Sequence, residues 1–441
     1  MPEKPRVVIL GGGFGGLYAA QALKHAPVDV TVIDRRNYHL FQPLLYQVAT
    51  GSLSPGEIAA PIRGVLSRQK NTNVLLGEAL DIDPAGKTVQ LRDGANIPYD
   101  FLIVATGSQG SYFGHDEWSK WAPNLKNIDD ATAIRHKLLL AFEAAERITD
   151  PDERQAWLTF VIVGGGATGV ELAGALGEIA NETLRHDFRS IHPADARILV
   201  VDGGARVLGN YPEDLSKKAE QQLGKLCVRV RTGVMVTCID ETGVSLKTKT
   251  GTDHIASRTV IWAAGVAVTD FARQLATRTS APTDRAGHIK VAPDLSVPNF
   301  PDIYVVGDLA LVERADGKPL PGVAQVAMQG GSYTAKAITK RVKGEAGPQK
   351  PFHYFDKGDL AVIGRGAAVA NVFGLHLSGL PAWLVWLFIH LMYIVEFQSR
   401  VLVFVQWGFL YLTSNRGARL ITGTLPAKAI DRPESLENLG E

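Results

Sequence analysis

The chain has little cysteine and no excess of either charge. Two cysteines in 441 residues, Cys227 and Cys238, cannot build a disulfide framework or a four-thiolate metal site. Redox chemistry here must therefore be lent by a bound group. Lys and Arg number 46 against 45 Asp and Glu, for a net charge of +1, and such a surface makes no field for a polyanion. Nucleic acid is excluded as a partner. Charged residues are 21% of the chain, below the usual quarter, and the deficit is local: between 366 and 415 only Glu396 and Arg400 are charged, beside ten aromatics. The N-terminal segment enters a strand-like run at Arg6, which leaves the expectation of no signal or transit peptide and a cytoplasmic start.

What is present in quantity is glycine, 45 residues, and part of it is patterned. The run VVILGGGFGGLYAAQAL from Val7 and the run FVIVGGGATGVELAGAL from Phe160 both read as buried strand, glycine turn and apolar helix, at a constant offset of 153 residues. Each is followed by a second strand ending in glycine, FLIVATG at Gly107 and TVIWAAG at Gly265. Strand, turn, helix and strand in that order predict a parallel sheet with right-handed crossovers, twice.

In Gly11, Gly13 and Gly16 the first glycine permits the tight turn, the second lets a pyrophosphate approach the backbone, and the third lets helix pack on strand. The helix N-terminus then offers free amides to phosphate. The next strand ends at Asp34, 23 residues after Gly11, where a carboxylate binds ribose hydroxyls. Gly164, Gly166 and Gly169 repeat the pattern, and RILVVD ends at Asp202, 38 residues after Gly164. That crossover carries an insertion near TLRHDFRSIHPAD. Asp202 repels a 2′-phosphate and so favours NADH over NADPH, although Arg206, close by in sequence, weakens the preference. Two dinucleotide sites in one chain suit a permanently held flavin and a nicotinamide that delivers hydride to it.

The paired loops, the strand ends at Gly107 and Gly265 and the VVGDLA run at Asp308 resemble the flavoprotein reductases with two dinucleotide domains. The resemblance implies FAD on Gly11, Gly13, Gly16, Asp34, Thr106, Gly107 and Asp308, and NADH on Gly164, Gly166, Gly169, Asp202 and Gly265. Branches of that superfamily that carry electrons or sulfur on cysteine are disfavoured. HLFQPLLYQVATG is cysteine-free, and Cys227 and Cys238 read as packed strand residues. The AQVAMQ run from Ala324 to Gln329, the GGGATGVELAG loop and the aromatic tail resemble the type II, non-pumping NADH:quinone oxidoreductases over nearly the whole chain. Gly330 departs from the second polar residue expected there, and no calcium-loop insertion is present, which suggests a bacterial form.

The implied fold is α/β: two Rossmann-like dinucleotide-binding domains, the second inserted in the first, plus a C-terminal amphipathic helical region that anchors to a membrane. The expected boundaries are 1–150 and 283–368 for the FAD domain, 151–282 for the NADH domain and 369–441 for the anchor. A helix beginning near Val323 aims the amides of Ala324 and Gln325 at the flavin. Gln325 and Gln329, four apart and on one face, either hydrogen-bond quinone carbonyls or cover a helix surface. Glu171 either orients nicotinamide and relays protons or is an acid favoured near its own helix N-terminus. His376 supplies a proton to reduced quinone or is satisfied structure. The implied reaction passes hydride from NADH to FAD and then two electrons to a membrane quinone, with no proton pumping.

The tail holds an uncharged run of 17 residues from Gly379 to Val395 and a second of 12 from Val401 to Leu412, against the roughly 20 that a spanning helix needs. Two helices lying in the membrane interface are expected, with Trp386, His390, Tyr393 and Phe397 on one stripe at headgroup level. Arg416, Arg419, Lys428 and Arg432 then meet anionic headgroups. A dimer interface or a hairpin packed on the protein's own core competes with that reading. The expected location is the cytoplasmic face of the inner membrane, and a homodimer is the default assembly. Two rival functions stay open: a soluble NADH-dependent reductase of a ferredoxin-type protein, and a flavoprotein that senses NADH.

Overall fold

The computed structural model describes residues 3–314, 317–345 and 349–422. The chain forms two compact units by packing: Met1–Leu40, Ala59–Gln109 and Val266–Lys357 make the first, and Phe41–Ile58, Gly110–Gly265 and the chain from Gly358 make the second. The boundaries expected from the sequence divide the chain by nucleotide instead. Packing sends the short segment 41–58 and the described residues from Gly358 onward to the second unit.

The first unit is built on a six-stranded sheet in the order Ser296–Val297, Phe300–Val305, Phe101–Val104, Arg6–Leu10, Asp29–Asp34 and Thr72–Leu76. All pairs are parallel except the short edge strand on Phe300–Val305. The apolar runs VVIL and FLIV sit at its centre, where both faces are covered and all but Phe101 are buried. The second unit repeats the arrangement with Val228–Thr232, Arg197–Asp202, Thr159–Val163 and Thr259–Trp262, all parallel. In both sheets the strand before the glycine turn lies between the acid-tipped strand and the strand that ends in glycine.

The spacing of 38 residues between Gly164 and Asp202 has a structural cause. The helix Ala167–Glu178 runs on into a π-turn, Ile179–Thr183, and irregular chain returns to Arg197. Residues 359–378, read from sequence partly as tail, are an antiparallel three-strand sheet, Asp359–Gly364, Ala367–Val372 and Leu375–Ser378. Two helices, Leu380–Tyr393 and Phe397–Thr413, follow it. Neither these nor any other described helix is long and apolar enough to cross a membrane.

Helix Ala167–Glu178 lies directly on this small sheet. A Cβ at Gly174 would stand 1.7 Å from the Ile363 carbonyl oxygen, so the two backbones touch where any side chain would part them. Gly174→Ala is expected to lower the melting temperature by several degrees, since overpacking costs about 1–3 kcal/mol and backbone cannot rotate away. The control is Gly224→Ala, in the helix Glu213–Lys225, where a Cβ would meet nothing within 4 Å. It should gain up to about 1 kcal/mol. Thermal melts of both variants check the contact, which is refuted if the two behave alike.

Candidate functional site

The helices Phe14–Ala22, Ala167–Glu178 and Ala324–Val342, after Gly13, Gly166 and Val323, are among those that start without a side-chain cap and without an acid in the first turn. By contrast Ile128–Arg147 has a complete capping box from Asn127 and Asp130. Uncapped ends leave backbone amides and the positive end of the helix dipole for an anion. At Gly13 and Gly166 a Cβ would meet nothing within 4 Å, so the approach to those amides is open.

The geometry around each glycine turn matches. Gly11 and Gly164 have φ of +100° and +112°, the region that favours glycine. Gly16 and Gly169 could carry no side chain, because a Cβ would stand 1.8 and 1.9 Å from the Gly11 and Gly164 oxygens. Asp34 accepts from the Gly12 N–H at 2.6 Å and the Arg36 N–H at 2.7 Å. Asp202 accepts from the Gly165 and Gly204 N–H groups, both at 2.6 Å. Burial pushes the Asp34 carboxyl above its usual range despite those amides and the nearby Arg35 and Arg36. Its charged form gains from any further donor, which ribose hydroxyls provide. Arg206, which opposed the NADH preference in sequence, turns its guanidinium onto the carbonyls of Gly209 and Tyr211 at 2.9 and 3.0 Å.

Within the first unit the remaining residues assigned to FAD converge. Ser108 donates to Asp308 at 2.7 Å, and Thr106 shares a hydrogen bond with Thr269 at 2.9 Å, beside Gly107. Asp308 also stands 3.6 Å from where a Cβ of Gly322 would be, just before the helix that carries Ala324 and Gln325. The open amides at Gly13 and the polar groups of Asp34, Thr106 and Asp308 fit the phosphate and hydroxyl groups of a dinucleotide such as FAD. One residue escaped the sequence reading: His39 is fully buried, and its Nδ1–H donates to the Gly12 oxygen at 2.9 Å while its ring meets Phe14 edge-on at 5.1 Å. It braces the glycine turn as a neutral imidazole, its pKa depressed by burial. Gln329 engages the Phe355 backbone at both amide ends, at 2.9 Å each.

Within the second unit a cleft of about 660 Å³, partly open to solvent, is lined by Glu171, Tyr46, Gln47 and the indoles of Trp383, Trp386 and Trp407. Glu171 accepts a hydrogen bond from the Val362 backbone, but desolvation dominates and pushes its carboxyl up to about 8. It is protonated at neutral pH. Gly265 closes the strand Thr259–Trp262 at φ +74°. His376 lies on the outer hairpin strand and pairs with Asp214 at 3.0 Å; it is not among the cleft residues.

Four readings of the sequence are corrected. Of the stripe expected at headgroup level, Trp386 is 2% exposed, stacked on His390 at 4.5 Å and tilted against Trp407 at 5.1 Å, so it faces inward, while Phe397 is 78% exposed. The outward stripe is Leu380, Leu384, Phe388 and Met392, four residues apart, each about half exposed or more. Arg416 is 3% exposed and binds Glu178 at 2.6 Å and the Thr50 hydroxyl at 3.2 Å, so it faces no headgroup. Arg419 pairs with Asp187 at 2.5 Å, while Lys428 and Arg432 lie outside the described residues. Cys227 and Cys238 are exposed free thiols, one in a turn at φ +60° and one on a strand, rather than packed core.

The profile of the pyridine nucleotide-disulphide oxidoreductase family matches residues 5–331. The type II NADH:quinone oxidoreductases Ndh and NdhA of Mycobacterium tuberculosis are 45% and 47% identical to this chain, over 96% and 95% of it and 91% and 90% of their own lengths. A structure of NDH2 from Plasmodium falciparum in complex with NADH has the same fold, with a TM-score of 0.84 at 22% identity, covering 96% of this chain and 100% of that one. On these matches the chain belongs to the pyridine nucleotide-disulphide oxidoreductase family and, within it, to the type II NADH:quinone oxidoreductases.

Proposed function

We propose that this protein oxidises NADH at the second glycine loop and reduces a quinone in the indole-lined cleft, with FAD on the first loop, while lying on a membrane surface and pumping no protons. FAD, when bound, supplies the two-electron relay between nicotinamide and quinone. The first loop's open amides at Gly13, the Asp34 carboxylate, Thr106, Gly107 and Asp308 hold the flavin dinucleotide, and the uncapped helix end at Ala324 and Gln325 places partial positive charge for it. Gly164, Gly166, Gly169 and Gly265 with Asp202 hold NADH. Arg206 is committed to its own loop's carbonyls, which supports NADH over NADPH.

The observation that carries the quinone reading is that one helix pair does two jobs. The inner faces of Leu380–Tyr393 and Phe397–Thr413 line the cleft with Trp383, Trp386 and Trp407, and the outer faces expose Leu380, Leu384, Phe388, Phe404, Val405 and Leu412. Fully burying a Leu or Phe side chain is worth about 1.5–3 kcal/mol, so a few half-immersed ones suffice for a helix pair to lie in the interface. A quinone dissolved in the bilayer then meets the cleft from the apolar side. Glu171 holds a proton there for the reduced quinone. Gln325 and Gln329 belong to the first unit and stay a separate candidate pair of carbonyl donors, of which Gln329 would first have to release Phe355. The cytoplasmic face, a homodimer and a role for His376 are parts of the same proposal.

The test is stopped-flow reduction of the flavin by NADH followed by reoxidation with a short-chain quinone or a ferredoxin. Rapid reoxidation by quinone alone is expected, and rapid reoxidation by ferredoxin alone would overturn the reading.

Two further outcomes follow from the cleft. Quinone reduction should fall as pH rises through about 8, where Glu171 loses its proton, and Glu171→Gln should remove that limb and lower turnover about 10²-fold, the low end for a lost general acid. Linkage has the same direction: the unfolded carboxyl titrates near 4.5 and the folded one near 8. The folded state therefore holds the extra proton between those values, and stability declines with rising pH across that window in wild type but not in the variant. Separately, Leu384→Glu with Phe388→Glu should cut binding to anionic vesicles about tenfold or more, the factor that a loss of 1.4 kcal/mol gives, with NADH:ferricyanide turnover unchanged. Unaltered sedimentation with vesicles would remove the interfacial role of this stripe.

A further inference from the structure

The cleft contains a hydrogen-bond relay whose direction is fixed by chemistry. The Trp407 indole N–H lies 2.7 Å from the Gln47 side chain across 360 residues of sequence. An indole nitrogen can only donate, so the atom facing it is the Gln47 carbonyl oxygen, and the amide is not free to be flipped. The Gln47 NH₂ is thereby turned to the Tyr46 hydroxyl oxygen at 2.8 Å, where it donates. Tyr46 uses a lone pair to accept, and its own proton has no acceptor among the described residues.

That proton is poorly placed to be wasted. Tyr46 and Gln47 are each 6% exposed, and a buried hydroxyl proton is rarely left without an acceptor. Both side chains line the cleft with the three indoles. Around the hydroxyl stand Glu171, Glu178 and Arg416, and none of them is within hydrogen-bond reach of it. The segment that carries Tyr46 is itself pinned: the Thr50 hydroxyl donates to the Tyr46 backbone oxygen at 2.9 Å, and Arg416 binds that hydroxyl and the Ser52 hydroxyl.

Resting on the quinone reading above, we infer that Tyr46 donates a hydrogen bond to a carbonyl oxygen of the quinone, with Gln47 and Trp407 as positioning residues that aim its O–H into the cleft. The flat indoles in the cleft lining suit the face of a quinone ring. Tyr46 keeps its proton throughout, because burial and the neighbouring carboxyls push its ionisation well above the ordinary range. It stabilises negative charge building on the carbonyl oxygen and is not the source of either proton that the quinone takes up. Trp407 sits on the second tail helix, so the donor is aimed only while that helix is seated.

The FAD-loaded protein with Tyr46→Phe or Trp407→Phe tests this. Flavin reduction by NADH and reoxidation by ferricyanide, which needs no hydrogen bond, should stay within about twofold of wild type, while reoxidation by a short-chain 1,4-benzoquinone slows about tenfold or more in Tyr46→Phe, as for one lost transition-state hydrogen bond. Trp407→Phe should fall between wild type and Tyr46→Phe, with an intact melting temperature, because it disorients the donor without removing it. Quenching of indole fluorescence by the same benzoquinone should need about tenfold more quinone in Tyr46→Phe. Wild-type rates and quenching in Tyr46→Phe would overturn the assignment of Tyr46 alone. A wild-type flavin that benzoquinone fails to reoxidise would overturn it together with the quinone reading.

Discussion

Each unit depends on one lock: a backbone N–H of the glycine turn held by a carboxylate at the tip of the neighbouring strand. Gly12 to Asp34 and Gly165 to Asp202 are both 2.6 Å. The bond is charge-assisted, and it ties the turn to the adjacent strand at the point where the chain leaves the sheet. It also fixes the acid's remaining lone pairs toward the open cradle. Without it the glycines, which have the widest conformational freedom in the chain, would have to be ordered by the nucleotide itself. With it, the helix that follows starts in one place and presents its amides in one direction.

How much of this was legible in the sequence divides along range. The glycine turns, the two sheets and the acids at their strand ends were readable because their signals are local: a glycine spacing and an acid at a strand end; that these acids also hold the turn amides was not. His39 was missed although it braces the first turn, since a lone histidine in YHLF has no spacing that distinguishes a brace from a packed side chain. The insertion before Asp202 was visible as a count of residues, but not as the π-turn that brings Glu182 and Thr183 to the cleft.

The cleft itself was not legible, because its wall is assembled from parts far apart in sequence. Residues 45–52, 171–183, 362–365 and 383–416 meet there, and no periodicity links them. The tail shows the same limit in miniature. Composition marked residues 366–415 as apolar, and counting marked them as too short to span, yet the side that faces outward was chosen by packing. Trp386 went inward, where the His390 ring stacks on it and the Trp407 ring packs at a tilt, and the Leu380, Leu384, Phe388 and Met392 stripe was left outside. Arg416 followed the same rule. A basic residue after an apolar helix reads as a headgroup contact until Glu178, Thr50 and Ser52 prove to be waiting for it.

The burial of Arg416 bears on how surface attachment and chemistry are joined. A buried ion pair with Glu178 gains little net stability, since desolvation offsets much of the attraction, but removing one partner strands the other at a cost of about 3–5 kcal/mol. Such a pair therefore specifies an arrangement more than it strengthens one. Here it fixes the chain just beyond the second tail helix against the helix Ala167–Glu178, while the Thr50 and Ser52 hydroxyls tie the same arginine to the 45–52 segment and the Trp407 to Gln47 bond fixes the helix itself against that segment. Both attachments converge on the residues that form the polar end of the cleft, whereas the outer face of the helix is free to take up apolar surroundings. A displacement of that helix cannot leave the cleft unchanged, because the amide that aims the Tyr46 hydroxyl takes its orientation from a donor on the helix. Occupancy of the apolar face and geometry of the cleft are thus two readouts of one seating.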